Sequence, residues 1–187
     1  MLIIGITGTL GAGKGTIVEY LVDQRGFLHF SVREYISKEI VKRGMPVNRD
    51  SMVIVANDLR EKNSPSFITD QLYFEAEKTG KDSVIESIRT PGEVDSLRSK
   101  ANFVLFAVDA PAKERYRRIT ERNSETDNIT FEEFIEDEER EMHSTDPNRQ
   151  NIARCVEMAD YVFSNDGRIE ELQGRIDKVL AKIRENE

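Results

Sequence analysis

Five short apolar segments recur along the chain, and each has the length of a β-strand. They cover residues 2–6, 27–30, 83–87, 103–108 and 161–163. The first segment is almost continuously apolar, which is typical of a strand covered on both faces in a parallel sheet. Between the segments, apolar residues recur at a spacing of three and four, which indicates helices. This alternation predicts an α/β fold in which a five-stranded, doubly wound parallel sheet carries helices on both faces.

Helices are expected in every connection between these strands. Their predicted spans are 13–24, 31–44, 48–62, 67–78, 93–100, 112–122 and 130–142, a helix through residues 152–156, and a last helix over 169–183. Capping-box patterns that begin at Ser31 and Thr130 mark two of the helix starts, and a polar loop is expected at residues 124–128. Three helices separate the second strand from the third. A single crossover requires fewer, so part of this segment is expected to form a flap over a ligand.

A glycine-rich loop follows the first strand. Residues 8–16 read GTLGAGKGT and lead directly into the first helix. Glycines allow successive backbone N–H groups to turn inward around an anion. The helix that follows points its positive dipole end at the same place, and Lys14 adds a full positive charge. Strand, glycine loop and helix in this order predict that the chain binds a nucleoside triphosphate through its phosphates.

Composition restricts the partners and the location. Of the 187 residues 33% are charged, and the formal net charge is −8. A surface that coats nucleic acid or binds an anionic membrane favours excess Lys and Arg, so neither partner is expected, although basic clusters within a pocket remain compatible with this total. Cys155 is the only cysteine and the two histidines are far apart, which argues against a disulfide framework and a zinc motif. No apolar run reaches membrane-spanning length, and Met1 leads directly into the first strand, so a cytoplasmic location is expected.

The detail of the glycine loop points to a narrower class. A general P-loop has Ser or Thr directly after the lysine, whereas here Gly15 takes that place and Thr16 comes one residue later. The GKGT pattern resembles the nucleoside monophosphate kinases, adenylate kinase above all. Further resemblance lies in segments 29–34, 84–91, 118–122 and 159–167, and the last of these also resembles dephospho-coenzyme A kinases. The resemblance implies one P-loop kinase domain over 1–187, with a helical acceptor-binding insert at 31–80 and a lid at 123–147.

The same resemblance implies roles for individual residues. The ATP-binding set would be Gly11, Ala12, Gly13, Lys14, Gly15, Thr16 and Arg118. Lys14 would contact the β- and γ-phosphates, Arg89 would hold the phosphate of the acceptor, and Arg122 would clamp phosphates. Arg118 would pack near the donor base. Glu86, at the end of the third strand, stands where the family has an aspartate that acts on Mg²⁺ through water, and it is therefore the expected metal and substrate contact. Such charges suit phosphoryl transfer, which needs alignment and charge neutralisation more than covalent help.

Several charged residues have a second interpretation. Arg33 replaces a glycine of the family pattern, and it either contacts the acceptor phosphate or is solvated. Helix capping explains Glu34 fully and is preferred to a catalytic role. Arg140 lies in the predicted lid, where the family places arginines that swing onto the transferring phosphate, but an i,i+4 pair with Glu136 explains it equally well. The acidic run 136–141 is most simply a solvated helix face. For the arginines at 118 and 122, the alternative is a surface helix that also carries arginines at 115 and 117.

Together these features predict an ATP- and Mg²⁺-dependent phosphotransferase whose partner is a small-molecule nucleotide acceptor, a nucleoside or deoxynucleoside monophosphate. Dephospho-coenzyme A kinase is the alternative. That family usually has Gly-Lys-Ser-Thr and an Asp-x-Asp near the end of the second strand, and this chain differs at both places. A regulatory NTPase without a small-molecule acceptor is the second alternative, but the Asn-Lys-x-Asp motif of GTPases is missing from the sequence. The sequence does not predict an oligomeric state.

Overall fold

The computed structural model describes residues 1–122 and 129–185. Over these residues the strands form a five-stranded sheet of order β2-β3-β1-β4-β5, in which every paired strand is parallel to its neighbour. The strands are β1 (Leu2–Gly8), β2 (Leu28–Ser31), β3 (Ser83–Glu86), β4 (Asn102–Asp109) and β5 (Tyr161–Ser164). The predicted α/β fold with a parallel sheet is thus confirmed. The polar loop expected at residues 124–128 lies outside the described residues.

Helices occupy the predicted connections, with ends that differ by a few residues. They are α1 (Lys14–Arg25), α2 (Val32–Lys42), α3 (Arg49–Lys62), α4 (Phe67–Thr79), α5 (Pro91–Lys100), α6 (Ala112–Arg122), α7 (Phe131–Met142), α8 (Ile152–Glu157) and α9 (Ile169–Glu185). Within the described parts of the chain, no helix is long and apolar enough to cross a membrane.

Helix capping differs in part from the sequence pattern. The box at Thr130 is present in full, with reciprocal bonds between this residue and the third residue of α7. At Ser31 only half of the box forms, because its hydroxyl accepts from the backbone N–H of Glu34 while the Glu34 carboxylate lies 2.8 Å from Lys38 Nζ. A further box, which the sequence reasoning did not identify, begins α5 at Thr90.

The two faces of β1 belong to separate apolar cores. Leu2, Ile4 and Ile6 pack with α1 and α9 on one face, and Ile3 packs with α2 to α5 and α8 on the other. Since successive side chains of a strand point to opposite faces, both faces must be covered for such a continuous apolar run to be buried. With both faces filled, the carboxyl edge of the sheet is the place left for a ligand.

The winding of the chain changes direction at β1. The chain passes from β1 to β2 and β3 on one side of the sheet, and then crosses to β4 and β5 on the other. Ligands of doubly wound sheets bind beyond the carboxyl ends of the strands at such a point. The glycine loop follows β1, Glu86 ends β3 and Asp109 ends β4, and Thr9 Oγ1 donates to Asp109 Oδ1 at 3.0 Å. The topology therefore gathers the predicted site residues at one edge.

Candidate active site

A cavity of about 510 Å³ opens at this carboxyl edge, beside the glycine loop and helices α2, α3 and α6. Basic side chains outnumber acidic ones in its described lining. The basic residues are Lys14, Arg33, Arg49, Arg60, Arg89, Arg118 and Arg122, and the acidic residues are Glu19, Glu86 and Glu141. Because the whole chain carries a net charge of −8, positive charge is concentrated at the cavity. Such a concentration produces a local potential that attracts anions.

The glycine loop has the backbone of an anion-binding turn. Gly11 and Gly13 have φ angles of 76° and 101°, in the left-handed region where side chains are strained. Gly13 is the N-cap of α1, and the described residues provide no side-chain cap there. The backbone N–H groups at the start of α1 can therefore donate to a bound anion. A Cβ on Gly13 would also collide with the Asn165 amide, so this position combines backbone strain with a close contact.

Lys14 lies at the centre of the positive region. Its Nζ donates to the backbone carbonyls of Gly8 and Thr9, both at 2.8 Å. Burial, and next the nearby charge of Arg89, lower the pKa of Lys14 from 10.5 to about 7, although Glu86 and Glu141 act in the opposite direction. An anion that enters the cavity would favour the protonated amine. The charge of Lys14 is therefore coupled to what the cavity holds.

Arg118 and Asn165 link the glycine loop to the end of β5. Arg118 Nη2 donates to the Asn165 carbonyl at 2.7 Å, and Asn165 Nδ2 donates to the Ala12 carbonyl at 2.9 Å. Arg118 Nη1 is buried and finds no hydrogen-bond partner among the described residues. A buried N–H group without an acceptor lowers the stability of the folded protein. A ligand in the cavity could provide the acceptor. Arg122 lines the same cavity one helical turn later.

Two further arginines of the cavity lining surround one buried carboxylate. Arg89 Nη1 donates to Glu141 Oε2 at 2.6 Å and also to Gln150, and Arg49 Nη2 donates to Glu141 Oε1 at 2.9 Å. Burial raises the pKa of Glu141, but the charges and hydrogen bonds of Arg89 and Arg49 outweigh this and hold the pKa below its ordinary value. Arg49 also lies 2.9 Å from Asp137. Helix α7 is thereby docked onto the side of the cavity that carries the predicted acceptor residue.

The position of Glu141 corrects the interpretation of the acidic run as a solvated face. Glu139 is exposed on α7, whereas Glu141 is buried. The pairing also brings Arg49 into the site, which nothing in the sequence pattern marked. The sequence contained one signal for this pairing: Asp137 and Glu141 have an i,i+4 spacing, which places them on one helix face. Both carboxylates contact Arg49.

Glu86 projects from the end of β3 into the cavity. Its Oε1 accepts from Ser31 Oγ at 2.8 Å and lies 3.6 Å from His29 Nε2. Burial raises the pKa of Glu86, but nearby His29, the hydrogen bond from Ser31 and the charge of Lys14 leave the pKa below its ordinary value. Glu86 is thus held as a carboxylate beside the lysine. His29, a residue of β2, is one of the groups near this carboxylate.

Mg²⁺ is compatible with these side chains. Thr16 and Glu86 line the same cavity, and a hydroxyl and a carboxylate are the hard oxygen ligands that Mg²⁺ accepts, together with substrate phosphates and waters. Among residues 1–122 and 129–185, no cluster of three or more His, Cys, Asp or Glu could hold a metal ion. The oxygen donors present suit an ion that arrives with a nucleotide better than one held by the protein alone.

Ser87 follows Glu86 with a φ angle of 66° and lines the cavity. It is the one non-glycine residue of the described chain in the left-handed region. Such a conformation in a residue with a Cβ is uncommon, and it clusters at functional sites. The turn directs the chain from β3 towards Arg89.

The remaining charged residues lie in different places. Arg33 lines the cavity, and Glu34 is exposed beside its partner Lys38. Arg140 is absent from the described cavity lining, and its Nη2 donates to Asp137 Oδ1 at 2.6 Å. The alternative interpretation, a pair with Glu136, is therefore corrected to a pair with Asp137. The catalytic role of Arg140 stays a prediction that requires movement of α7.

The alternative interpretation of α6 as a surface helix included Arg115, but the structure buries this residue. Its guanidinium donates to the Leu10 carbonyl at 3.3 Å, to the Ala110 carbonyl at 2.7 Å and to the Glu138 carboxylate on α7. One side chain thus ties the glycine loop to α6 and α7. Its burial follows from its place one turn before Ile119 on the inward face of α6.

Comparison with known proteins adds two findings. A family model described as an AAA domain matches residues 4–145. The UPF0200 protein of Methanocaldococcus jannaschii is 30% identical over 189 residues, which cover 100% of this chain and 92% of that protein.

Solved structures share the fold. TT1252 from Thermus thermophilus has a TM-score of 0.64 and 22% identity and covers 97% of both chains. Dephospho-CoA kinase from Campylobacter jejuni has a TM-score of 0.52 and 14% identity, covering 97% of this chain and 96% of its own. At these identities the similarity establishes only the fold, which is that of P-loop kinases. The reaction has to be inferred from the residues of the site.

Proposed function

This chain belongs to the AAA-domain family and to the UPF0200 family, and we propose that it is an ATP- and Mg²⁺-dependent phosphotransferase that acts on a nucleoside or deoxynucleoside monophosphate. The observation that carries the proposal is the convergence of basic side chains from α1, α2, α3, α6 and the segment after β3 on one cavity, in a chain of net charge −8. Phosphoryl transfer needs anionic groups to be aligned and their charge neutralised. Two phosphate-bearing substrates would account for this many cations.

The donor half consists of the glycine loop and the two arginines of α6. The uncapped N-terminus of α1 donates backbone N–H groups to the phosphates of ATP, and Lys14 neutralises charge on the oxygens of the transferring group. Arg118 and Arg122 line the cavity on the same side. Nη1 of Arg118 is buried and has no hydrogen-bond partner in the described part of the chain. This supports a ligand there, because a bound nucleotide would provide the missing acceptor.

The acceptor half consists of Arg89 and Arg49. These side chains come from different elements, yet both donate to one carboxylate, at 2.6 and 2.9 Å. They are therefore already arranged around an anionic group, and a phosphate presents the same kind of charged oxygen acceptors. A monophosphate is largely ionised at neutral pH, because its second pKa is about 6. Its oxygen can attack the donor without a general base.

Mg²⁺ would be held by Thr16 and Glu86 together with the donor phosphates, and it would supply neutralisation of charge on their oxygens. Glu86 is suited to this because the hydrogen bond from Ser31 and the nearby His29 keep it ionised. The protein itself contributes the fixed position of this carboxylate at the end of β3.

Dephospho-coenzyme A kinase is the second candidate, and Glu86 is the observation in its favour. Transfer to a hydroxyl requires a group that accepts the hydroxyl proton. Glu86 is the carboxylate held in ionised form beside Lys14. Two guanidinium groups around one anion favour a phosphate acceptor over a hydroxyl, so we place this candidate second.

A coupled assay of ADP release tests the proposal. Purified protein with Mg²⁺ and ATP is supplied with each ribo- and deoxynucleoside monophosphate and with dephospho-coenzyme A. At least one monophosphate should be phosphorylated, and Lys14→Ala should lower that rate at least about 100-fold, the scale seen when one charge-stabilising donor is removed. Lys78→Ala, at an exposed lysine of α4, is the matched control and should retain full activity.

The other outcomes decide between the candidates. Turnover of dephospho-coenzyme A alone would favour the second candidate. ATP hydrolysis that no acceptor accelerates would favour a regulatory NTPase. Full activity of Lys14→Ala would refute any kinase role for this cavity.

A further inference from the structure

Arg60 is a buried arginine in the cavity that the proposed reaction does not use. It lies on α3, one turn after Ala56, with 1% of its surface exposed, and it lines the floor of the cavity. Its partner is Glu93 on α5, which is fully buried, and Arg60 Nε and Nη2 donate to Glu93 Oε1 at 3.3 and 2.9 Å. The pair is electrically neutral as a whole. It therefore adds little attraction for a phosphate.

The hydrogen bonds of Glu93 fix the orientation of this guanidinium. Glu93 Oε2 accepts from the backbone N–H groups of Arg89 and Thr90 at 2.8 and 3.1 Å, while Oε1 accepts from Arg60. One carboxylate thus joins Arg60 to the backbone of the residue predicted to hold the acceptor phosphate. Arg60 is held at a constant position relative to that phosphate site, as a specificity contact must be.

One guanidinium nitrogen of Arg60 lacks a hydrogen-bond partner in the described structure. Arg60 Nη1 is buried and makes no hydrogen bond with any described residue. A buried N–H without an acceptor costs about 1–3 kcal/mol, so such groups are rare unless a ligand or water completes them. Arginine can only donate, since guanidinium has no acceptor atom. The missing partner must be an acceptor atom, and the neutrality of the Arg60–Glu93 pair favours an uncharged one.

The walls of the cavity indicate the surroundings of that acceptor atom. Most of the apolar side chains in the described lining come from two helices, with Leu10 and Ile119 as the others. They are Val32 and Ile36 on α2 and Met52, Val53 and Ala56 on α3. Apolar walls with a few fixed polar groups suit a flat heterocycle whose edge makes hydrogen bonds. The phosphate of the same molecule would lie at Arg89 and Arg49.

From these contacts we infer that Arg60 Nη1 donates to a ring carbonyl on the base of the acceptor, so that the site takes monophosphates of oxo-bearing bases in preference to adenine. The inference rests on the proposed function and names the class of acceptor. Adenine carries an amino group where hypoxanthine and guanine carry a carbonyl, and an amino group facing a guanidinium would place two donors against each other. Uracil and thymine present a carbonyl in the same way.

Inosine monophosphate and AMP are the sharpest pair of probes, since their bases differ in the carbonyl or amino group at C6 and the proton on N1. We expect kcat/KM to favour inosine monophosphate at least about tenfold, the effect of one hydrogen bond to a charged donor. In Arg60→Lys, which keeps a positive charge for Glu93 but lacks the planar fork, this ratio should fall towards one. Arg43→Lys, at an exposed ion pair with Asp58, is the matched control and should keep the wild-type ratio.

A second variant tests the inference in case Arg60→Lys does not fold. Arg60→Met combined with Glu93→Gln replaces the buried ion pair by a neutral pair, so that no lone charge remains buried. It should also lose the preference, and circular dichroism and the melting temperature monitor its fold. Equal lowering of kcat/KM for both nucleotides in the variants would show a purely structural role and would overturn the inference.

The remaining outcomes separate this inference from the function on which it rests. If monophosphates are phosphorylated but AMP is used as well as inosine monophosphate or better, the assignment of Arg60 fails and the phosphotransferase stands. If no monophosphate is phosphorylated or shifts the melting temperature, the proposed function fails and the inference fails with it.

Discussion

Lys14 titrates near neutral pH, which couples donor binding to protons. Burial and the charge of Arg89 lower its pKa to about 7 in the unliganded protein. A bound triphosphate brings negative charge and therefore raises this pKa. Between the two pKa values the complex holds more protons than the unliganded protein, so binding takes up a proton and affinity falls as pH rises above 7. The dissociation constant of ATP should increase towards tenfold per pH unit between pH 7.5 and 9.

Calorimetry in two buffers of different ionisation enthalpy measures this proton uptake. Lys14→Arg keeps the charge but does not titrate in this range, so its uptake should be lost and its affinity should vary less with pH. Lys78→Arg, at an exposed lysine, should behave as the wild type. A dissociation constant that is constant from pH 7.5 to 9 in the wild type would contradict the assignment of Lys14 to the phosphates.

Several site residues could be predicted from the sequence because each stands next to a strand end or follows the glycine loop. Lys14, Glu86 and Arg89 are of this kind, and the parallel sheet brings the ends of β1 and β3 together whatever the side chains are. Arg49 and Arg60 could not be predicted in this way. They lie within α3, where an arginine looks like any solvated helix residue, and their carboxylate partners come from α7 and α5. Only the tertiary fold distinguishes a buried arginine from an exposed one.

Helix α7 combines a solvated face with one that closes the acceptor side. Its acidic run is exposed at Glu139, as the pattern predicts, but Glu141 is buried between Arg49 and Arg89. A hydrophobic pattern separates apolar from polar positions, and it cannot show which carboxylate meets arginines 92 and 52 residues away. The lid was expected from the resemblance, whereas the docking of α7 through ion pairs emerges from the structure.

Glu141 should compete with the phosphate of the acceptor, because it occupies the two arginines that would bind that phosphate. Glu141→Gln keeps the shape of the side chain and removes the charge. The KM for the acceptor should fall about three- to tenfold, since each charged hydrogen bond that need not be displaced is worth about 1 kcal/mol or more. Steady-state kinetics with varied monophosphate at saturating ATP measures this change.

Glu139→Gln, on the exposed face of α7, removes the same charge from the same helix and should leave the KM unchanged. A KM that rises in Glu141→Gln would mean that Glu141 orients the arginines instead of competing for them. The melting temperatures of both variants show whether α7 remains docked, because loss of one partner of a buried ion pair destabilises the folded protein.

The overall architecture was the most predictable part of the molecule. The apolar run of β1 is buried by α1 and α9 on one face and by α2 to α5 and α8 on the other, as a doubly wound sheet requires. The periodicity of the apolar residues predicts each helix, and the helical crossovers between successive strands restrict the topology to a parallel sheet. What the pattern could not give is the distribution of charge. This acidic chain brings six arginines to the described lining of one cavity only because distant elements meet there.

The cavity lining is basic although the whole chain is acidic. This contrast yields a prediction for the protein as a whole. Tripolyphosphate, which carries the phosphates of a nucleotide without a base, should stabilise the fold, because a ligand of the native state contributes about 2.7 kcal/mol at 100 times its dissociation constant. With a net charge of −8 the exterior repels polyanions, so the effect must arise at the cavity, and it should weaken as salt screens the charges. Lys14→Met should lose most of the shift in melting temperature, whereas Lys78→Met should keep it. An equal shift in both variants would place the anion elsewhere on the molecule.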